Sequence, residues 1–233
     1  TAIHLTNIFF LMMSAVGMFF LSRRIWSSTL LASFAASAYI LSPYVLVDLY
    51  VRGAYSELTT FAVFPWVCLS FWSLAKQRLE KPNPFKNSEF LKNILYAAVA
   101  YSALSMSHSP VFLIASGALF FCLIICHKLV TNKAGMIAAV TLGMGFSAFY
   151  WIPMFAHRPD IKSSLFSVGY EAYVGHFRTF AQIFYMPWGY GTEGAMSYAA
   201  GWVVWLGVFW GIWAWAKRGH QFELHWKLLL VLS

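Results

Sequence analysis

Residues 42–57 read SPYVLVDLYVRGAYSE, and this stretch places Asp48, Arg52 and Glu57 between two long apolar runs. Only 10% of the residues are charged, so three ionisable side chains in one apolar setting are unusual for this chain. Asp48 and Arg52 are four residues apart, which predicts an ion pair on one helix face. Gly53 follows directly and allows the chain to turn. The stretch is therefore predicted to join two membrane-spanning helices.

These charges have two interpretations. Each one alone fits a helix end that meets water at the membrane surface. Ionisable groups inside apolar runs are otherwise buried against partners or line a cavity, where they mark functional sites. The three together favour a functional site.

The composition predicts a polytopic membrane protein. Hydrophobic residues make up 60% of the chain and aromatic residues 19%, whereas soluble domains are about 45–50% apolar. The formal net charge of +8 comes from Lys and Arg in short clusters between apolar runs, as in cytoplasmic loops. This pattern argues against nucleic acid as a partner.

The three cysteines, Cys68, Cys122 and Cys126, all fall within apolar runs. They are predicted to be small core residues rather than disulfide partners or metal ligands. The His, Cys and acidic residues match no metal-binding spacing, so no metal site is predicted and no cofactor follows from the sequence.

The apolar runs predict an all-α transmembrane bundle with about seven complete spans and one truncated span. Asn93–Cys126 holds 34 residues without Lys, Arg, Asp or Glu. As one helix it would be about 51 Å long, against a hydrocarbon core of about 30 Å, so it is expected to fold back at Pro110. The predicted regions are Leu5–Leu21, Ile25–Val47, Leu58–Ala75, Asn93–Cys126 as two spans, Ala134–Ala156, Ala195–Ala216 and a run that begins at Leu228.

Both ends of the chain lie in apolar sequence. Thr1 has no charged segment before the first span, and the run from Leu228 has only six residues. We expect residues 1–233 to form a single transmembrane domain that is a fragment truncated at both ends.

The distribution of basic residues predicts the orientation. Alternating sides collect twelve and four of the sixteen Lys and Arg residues, and the richer side is expected to be cytoplasmic. The 42–57 stretch, the turn at His108 and residues 157–193 then lie on the outer face. Residues 157–193 are predicted to be a re-entrant or interfacial segment, with a helix over 176–186 at the membrane surface. The aromatic residues after it fit the usual aromatic belt or a ligand platform.

The outer face therefore gathers the candidate site. An enzyme that acts on a lipid phosphate there needs a carboxylate to accept a proton and cationic donors to hold the phosphate. A single His at a helix–helix turn also serves commonly as a structural hydrogen-bonding group. The candidate substrate-binding residues are Asp48, Arg52, Glu57, His108, His157 and Arg158.

Three motifs carry a resemblance to a known family: the 42–57 stretch, Ser-His-Ser-Pro at 107–110, and Tyr-Trp-Ile-Pro at 150–153. With them, the chain from Ile3 to Trp215 resembles bacterial 6-pyruvoyl-tetrahydropterin synthase-related membrane proteins, which look like GT-C integral-membrane glycosyltransferases. The name implies no pterin chemistry.

The resemblance implies a multi-pass protein of the bacterial inner membrane that transfers a sugar from a polyprenyl-phosphate donor at the outer face. Membrane lipid and a lipid-linked sugar are the implied partners. GT-C enzymes carry a key acidic residue in their first outer loop, which is expected to lie upstream of Thr1, so no catalytic residue is assigned. Asp48 and Glu57 then resemble supporting residues, and Arg52 and His108 resemble phosphate or sugar contacts.

Two other functions stay open: a transporter or flippase for a lipid-linked or polar solute, and a non-catalytic membrane assembly subunit. The sequence shows no internal repeat of the kind that transporters carry.

Overall fold

The computed structural model describes residues 2–77, 87–125, 132–157, 179–185 and 201–218. All regular secondary structure in these ranges is helical, which confirms the all-α class. The helices are α1 (Ala2–Trp26), α2 (Thr29–Ile40), α3 (Pro43–Val47) followed by a π-helical turn (Asp48–Arg52), α4 (Tyr55–Lys76), α5 (Ser88–Ser107), α6 (Ser109–Ile125), α7 (Lys133–Phe146), α8 (Ala148–Ala156), α9 (Phe180–Phe184) and α10 (Trp202–Arg218).

Polar side chains cap several of these helices. Ser28 Oγ accepts a hydrogen bond from the Leu31 N–H at 3.4 Å at the start of α2. Asn132 Oδ1 accepts one from the Gly135 N–H at 3.2 Å at the start of α7. Such caps satisfy N–H groups that have no partner in the first helical turn, so helix starts follow from local sequence.

The membrane prediction is confirmed in its coarser form. Within the described ranges, α1 and α4 are each long and apolar enough to cross a membrane. The pair α2 and α3, bent by 41°, and the pair α7 and α8, bent by 63°, raise the number of candidate spans to four if each pair counts as one. The full set of seven complete spans and one truncated span stays a prediction.

The two bends interrupt runs that the sequence predicted as continuous spans. Pro43 disfavours helical backbone in the residue before it, and Ser42 is extended at φ −61° and ψ 141°. At the second bend the Ser147 hydroxyl donates to the carbonyls of Gly143 and Met144, which competes with the helical hydrogen bonds there. Local backbone chemistry therefore divides both apolar runs.

The chain folds back at His108, as predicted from the length of the run. Helix α5 ends at Ser107, His108 is extended at φ −147° and ψ 111°, and α6 begins at Ser109. Pro110 lies in the first turn of α6, where its missing N–H breaks no hydrogen bond.

Contacts along the bundle give the helix directions. The Trp66 indole N–H donates to the Met13 carbonyl at 3.1 Å, and a Cβ added to Gly17 would lie 2.6 Å from the same indole nitrogen. Further along both helices, Leu21 and Ile25 of α1 pack with Cys68 and Trp72 of α4, so the two helices run side by side in the same direction. Helices α4 and α5 are antiparallel, because Asn93 bonds to Gln77 at one end and Ser107 to Thr60 at the other.

The core lies between α4, α5 and α7. Phe71 and Leu74 of α4 are fully buried there with Phe90 and Leu104 of α5. Cys68 is also buried, against Leu21, Ile25 and Trp72, in agreement with its predicted core role. Large apolar side chains on the outer surface of α1 and α2 are exposed, as expected for helices that contact lipid tails.

The two ends of the bundle differ in chemistry. Arg23, Arg24, Lys76, Lys92 and Lys133 lie at one end, where α1 and α4 finish and α5 and α7 begin. The π-helical turn, the start of α4 and the turn at His108 lie at the other, which we call the site end. The outward orientation of the site end stays a prediction.

Most of the predicted interfacial segment 157–193 lies outside the described residues. Helix α9 falls within the predicted helix 176–186, and Thr179 and Gln182 form a capping box at its start. The Phe184 ring stacks on Trp205 of α10, with ring centroids 4.0 Å apart.

Candidate functional site

The site end begins with the π-helical turn. The chain widens from α-helical to π-helical geometry at Asp48 and ends in the left-handed conformation at Gly53, with φ 61°. The Ala54 N–H then reaches back to the Asp48 carbonyl at 3.0 Å. A side chain at residue 53 would strain this turn, so the glycine is needed here. Such turns occur frequently at functional sites.

A single nitrogen of Arg52 holds the centre of the cluster. Arg52 Nη1 donates to Asp48 Oδ1 at 2.8 Å, to Glu57 Oε2 at 2.9 Å and to the Tyr44 hydroxyl at 3.3 Å. The predicted ion pair between Asp48 and Arg52 is therefore present. Glu57 joins it from α4, so two carboxylates from consecutive helices converge on one guanidinium.

Tyr44 is a member of the cluster that the sequence reasoning missed. Its hydroxyl donates to Glu57 Oε2 at 2.6 Å, and its ring packs against Phe61 with centroids 5.7 Å apart. Its position in the sequence could have indicated this membership. Tyr44 lies eight residues before Arg52, in the short helix α3 that directly precedes Asp48. Its bond to Glu57 links α3 to α4.

Among the described residues, the cluster pairs two carboxylates with one guanidinium. The Asp48 side chain is 0% exposed and the Glu57 side chain 8%, whereas the Arg52 side chain is 33% exposed. Asp48 Oδ2 is buried and has no hydrogen-bond partner among the described residues. Two buried carboxylates facing one guanidinium leave an uncompensated acceptor, and such groups are costly in a low-dielectric setting.

Within the residues that the structure describes, one edge of the Arg52 guanidinium has no hydrogen-bond partner and is available to a ligand. All its hydrogen bonds to described residues use Nη1, which leaves Nε and Nη2 without a partner within those residues. That edge presents parallel N–H groups, the geometry that binds carboxylate or phosphate oxygens in pairs. The held nitrogen fixes the orientation of the available edge.

His108 lies beside this cluster. It is close enough to Glu57 for the two side chains to interact electrostatically. The turn that carries it is fixed on both sides, by Thr60 to Ser107 at 2.8 Å and by Ser109 to Tyr150 at 3.2 Å. The structure thus brings Arg52, Glu57 and His108 together at one end of the bundle.

His157 and Arg158 are the last two predicted site residues, and the structure describes only His157. The His157 N–H donates to the Pro153 carbonyl at 2.9 Å at the end of α8, and the residue is exposed. Arg158 lies outside the described residues. The membership of His157 and Arg158 in the site stays a prediction.

The acidic residues of the cluster, Asp48 and Glu57, are of a type that can bind metal ions. Among residues 2–77, 87–125, 132–157, 179–185 and 201–218, no group of three or more His, Cys, Asp or Glu side chains is arranged to hold a metal ion. Asp48 and Glu57 instead share a cation that the chain supplies itself. The two carboxylates therefore hold the Arg52 guanidinium in place.

Comparisons with known proteins find no matching family model, no matching curated protein and no matching solved structure.

Proposed function

We propose that this protein is a GT-C-like integral-membrane glycosyltransferase of the bacterial inner membrane. It transfers a sugar from a polyprenyl-phosphate-linked donor at the outer face, within a bundle of about seven complete spans and one truncated span. The substrate class is a lipid-linked sugar, and the donor phosphate binds at the site end of the bundle. The membrane lipid is the other partner.

The observation that carries this proposal is the available edge of Arg52. A guanidinium held through Nη1 by Asp48 and Glu57 offers Nε and Nη2 in a fixed direction. Phosphate oxygens accept such paired N–H bonds, and charge builds on the phosphate as the sugar leaves. A lysine offers one point charge without this planar geometry.

The neighbouring residues have supporting roles in this proposal. Asp48, Glu57 and Tyr44 orient Arg52 and keep it ionised in apolar surroundings. His108 contributes a polar group from the opposite helix pair. His157 and Arg158 belong to the proposed substrate-binding set through their predicted position on the outer face.

The test uses membranes that contain the whole protein and polyprenyl phosphates carrying a radiolabelled hexose or pentose, supplied as a panel. We expect labelled product only in membranes with the protein, and at least about a 10-fold lower initial rate for Arg52→Lys, which corresponds to about 1.4 kcal/mol of transition-state stabilisation. Arg24→Lys is the matched control, because Arg24 lies at the opposite end of the bundle and keeps the same charge.

Two results contradict the proposal. One is that no sugar in the panel gives a labelled product whose formation depends on the protein. The other is an Arg52→Lys variant that is present in the membrane at the normal level and transfers sugar at the wild-type rate.

A second candidate, a transporter or flippase of a lipid-linked or polar solute, is favoured by the two bent helix pairs. Transporters commonly build their binding sites from discontinuous helices near the middle of the membrane. The chain bends by 41° between α2 and α3 and by 63° between α7 and α8. Protein-dependent movement of a fluorescent polyprenyl phosphate between the leaflets of proteoliposomes, without sugar transfer, would select this function.

A further inference from the structure

The structure points to a second contact in the proposed site. We infer that Trp151, together with His108, binds a hydroxyl group of the sugar carried by the lipid-linked substrate. This inference rests on the proposed function and extends it from the phosphate to the sugar. It starts from two buried polar atoms that have no hydrogen-bond partner among the described residues.

The first of these atoms is the indole nitrogen of Trp151. The residue is 8% exposed, and its Nε1 is buried without a hydrogen-bond partner among the described residues. Nearly all buried N–H groups in proteins are hydrogen-bonded, and an indole N–H usually finds a partner when it is buried. An unpartnered donor in a packed ring cluster therefore calls for an explanation.

The second atom is Nδ1 of His108, which is also buried and without a partner in the part of the chain that the structure describes. The two residues belong to the same small region of the bundle. Trp151 packs on Phe112 with ring centroids 5.4 Å apart, and the Phe112 N–H bonds to the His108 carbonyl at 2.8 Å. Tyr150, the neighbour of Trp151, contacts Ser109, the neighbour of His108, at 3.2 Å.

The chemistry of this pair selects the ligand group. Indole Nε1 is a donor only, whereas Nδ1 of a neutral imidazole accepts when the proton is on Nε2. A hydroxyl group accepts from the first and donates to the second. A phosphate oxygen without a proton cannot donate to Nδ1, so this pair suits the sugar rather than the phosphate.

The position of the pair fits the same substrate. His108 interacts with Glu57, which is bonded to Arg52. In this inference, a donor whose phosphate lies against the Arg52 edge has its sugar toward His108 and Trp151.

The stability of two tryptophan variants separates this role from a structural one. Trp151→Phe and Trp66→Phe remove the same atoms, so the loss of ring size is matched between the two variants. Because the Trp151 N–H has no partner among the described residues, we expect Trp151→Phe to lower the unfolding midpoint in detergent less than Trp66→Phe does. Trp66→Phe removes an N–H that bonds to Met13 and should lower the midpoint. If Trp151→Phe is destabilised as much as Trp66→Phe, its N–H has a structural partner such as a bound water, and the inference is wrong.

Binding gives the second readout. The probes are polyprenyl phosphates carrying glucose, galactose, mannose or arabinose, and the same lipid phosphate without a sugar. We expect the wild type to prefer at least one sugar-bearing probe, and Trp151→Phe to lose about 3- to 10-fold of affinity for it with no change for the bare lipid phosphate. His108→Leu should show the same loss, and His108→Asn, which keeps an acceptor near the Nδ1 position, should restore part of it.

The outcomes distinguish the inference from the proposed function. A wild type that binds bare and sugar-bearing probes equally, or a Trp151→Phe variant that keeps the preference, overturns the inference and leaves the phosphate site intact. A wild type that binds none of the probes overturns the proposed function and the inference with it.

Discussion

The hydroxyl of Thr60 lies 2.8 Å from the hydroxyl of Ser107, and this contact fixes the end of α5 against the first turns of α4. Thr60 is one helical turn beyond Glu57, and Ser107 directly precedes His108. The bond therefore sets the position of His108 relative to the Arg52 cluster. Each hydroxyl has a single proton, so one of the two donates across this contact while the other donates to a carbonyl of its own helix, Thr60 to Ser56 or Ser107 to Leu104.

This arrangement predicts that Thr60→Val changes function more than stability. In this variant the Ser107 hydroxyl can still donate to the Leu104 carbonyl, so we expect a loss of only about 0.5–1.5 kcal/mol in unfolding free energy. The turn that holds His108 is then less well positioned, and sugar transfer should fall by more than this stability loss explains. Reversible unfolding in mixed micelles and the membrane transfer assay measure the two effects.

The cluster around Arg52 predicts strong coupling between Asp48 and Arg52. Arg52→Gln leaves two buried carboxylates facing each other, whereas Asp48→Asn with Arg52→Gln leaves Glu57 bonded to Tyr44. We expect the single change at Arg52 to cost more unfolding free energy than the double change, with a coupling of about 1–3 kcal/mol.

A double-mutant cycle measures that coupling. The control cycle uses Glu89 and Lys92, an exposed pair on α5 with a similar separation of 2.9 Å, which should show no measurable coupling because solvent screens it. Additive losses at Asp48 and Arg52 would mean that the two side chains do not depend on one another.

Close packing of α7 on α5 predicts a difference between two glycines of α7. A Cβ at Gly143 would lie 2.8 Å from the Ala98 carbonyl oxygen, whereas a Cβ at Gly145 would meet nothing within 4 Å. Gly143→Ala should separate the helices and lower the unfolding free energy by about 1–3 kcal/mol. Gly145→Ala should be neutral or stabilising by up to about 1 kcal/mol, because alanine favours helix. Equal effects would argue against this helix contact.

The orientation predicts which cysteines react from outside. In a variant that lacks Cys68, Cys122 and Cys126, a cysteine replacing Tyr50, which is 73% exposed at the site end, should react with an impermeant thiol reagent in intact cells. A cysteine replacing Glu89, at the opposite end, should react only after the membrane is permeabilised. The reverse pattern would invert the predicted topology.

Local rules in the sequence predicted part of the site. The four-residue spacing predicted the contact between Asp48 and Arg52, and Gly53 predicted the turn that follows. The convergence of Glu57 and Tyr44 on Arg52 did not follow from spacing, because it depends on how α4 returns beside α3 after the turn. That path is set by packing between helices.

The prediction of membrane spans was limited in the same way, because it could not include packing and local backbone chemistry. The length of Asn93–Cys126 predicted a fold-back, since one helix of that length exceeds the membrane thickness. The bends at Ser42 and Ser147 were not predicted, because hydropathy counts apolar residues and carries no information on the backbone preference before Pro43 or on a serine that bonds to its own helix. Trp151 entered only as part of the Tyr-Trp-Ile-Pro motif and received no role of its own, because a buried indole N–H without a partner among the described residues is visible only once the neighbouring helices are placed.

The residues of the Arg52 cluster are close to one another in the sequence, and this affects how the protein enters the membrane. Its four members lie within fourteen consecutive residues, from Tyr44 to Glu57, and all their mutual bonds join α3, the π-helical turn and α4. Contacts between residues this near in sequence form early, before distant parts of the chain arrive. The hairpin of α2 to α4 can therefore pair its own charges as it leaves the insertion machinery, and α5 meets a segment whose cationic side chain is already matched.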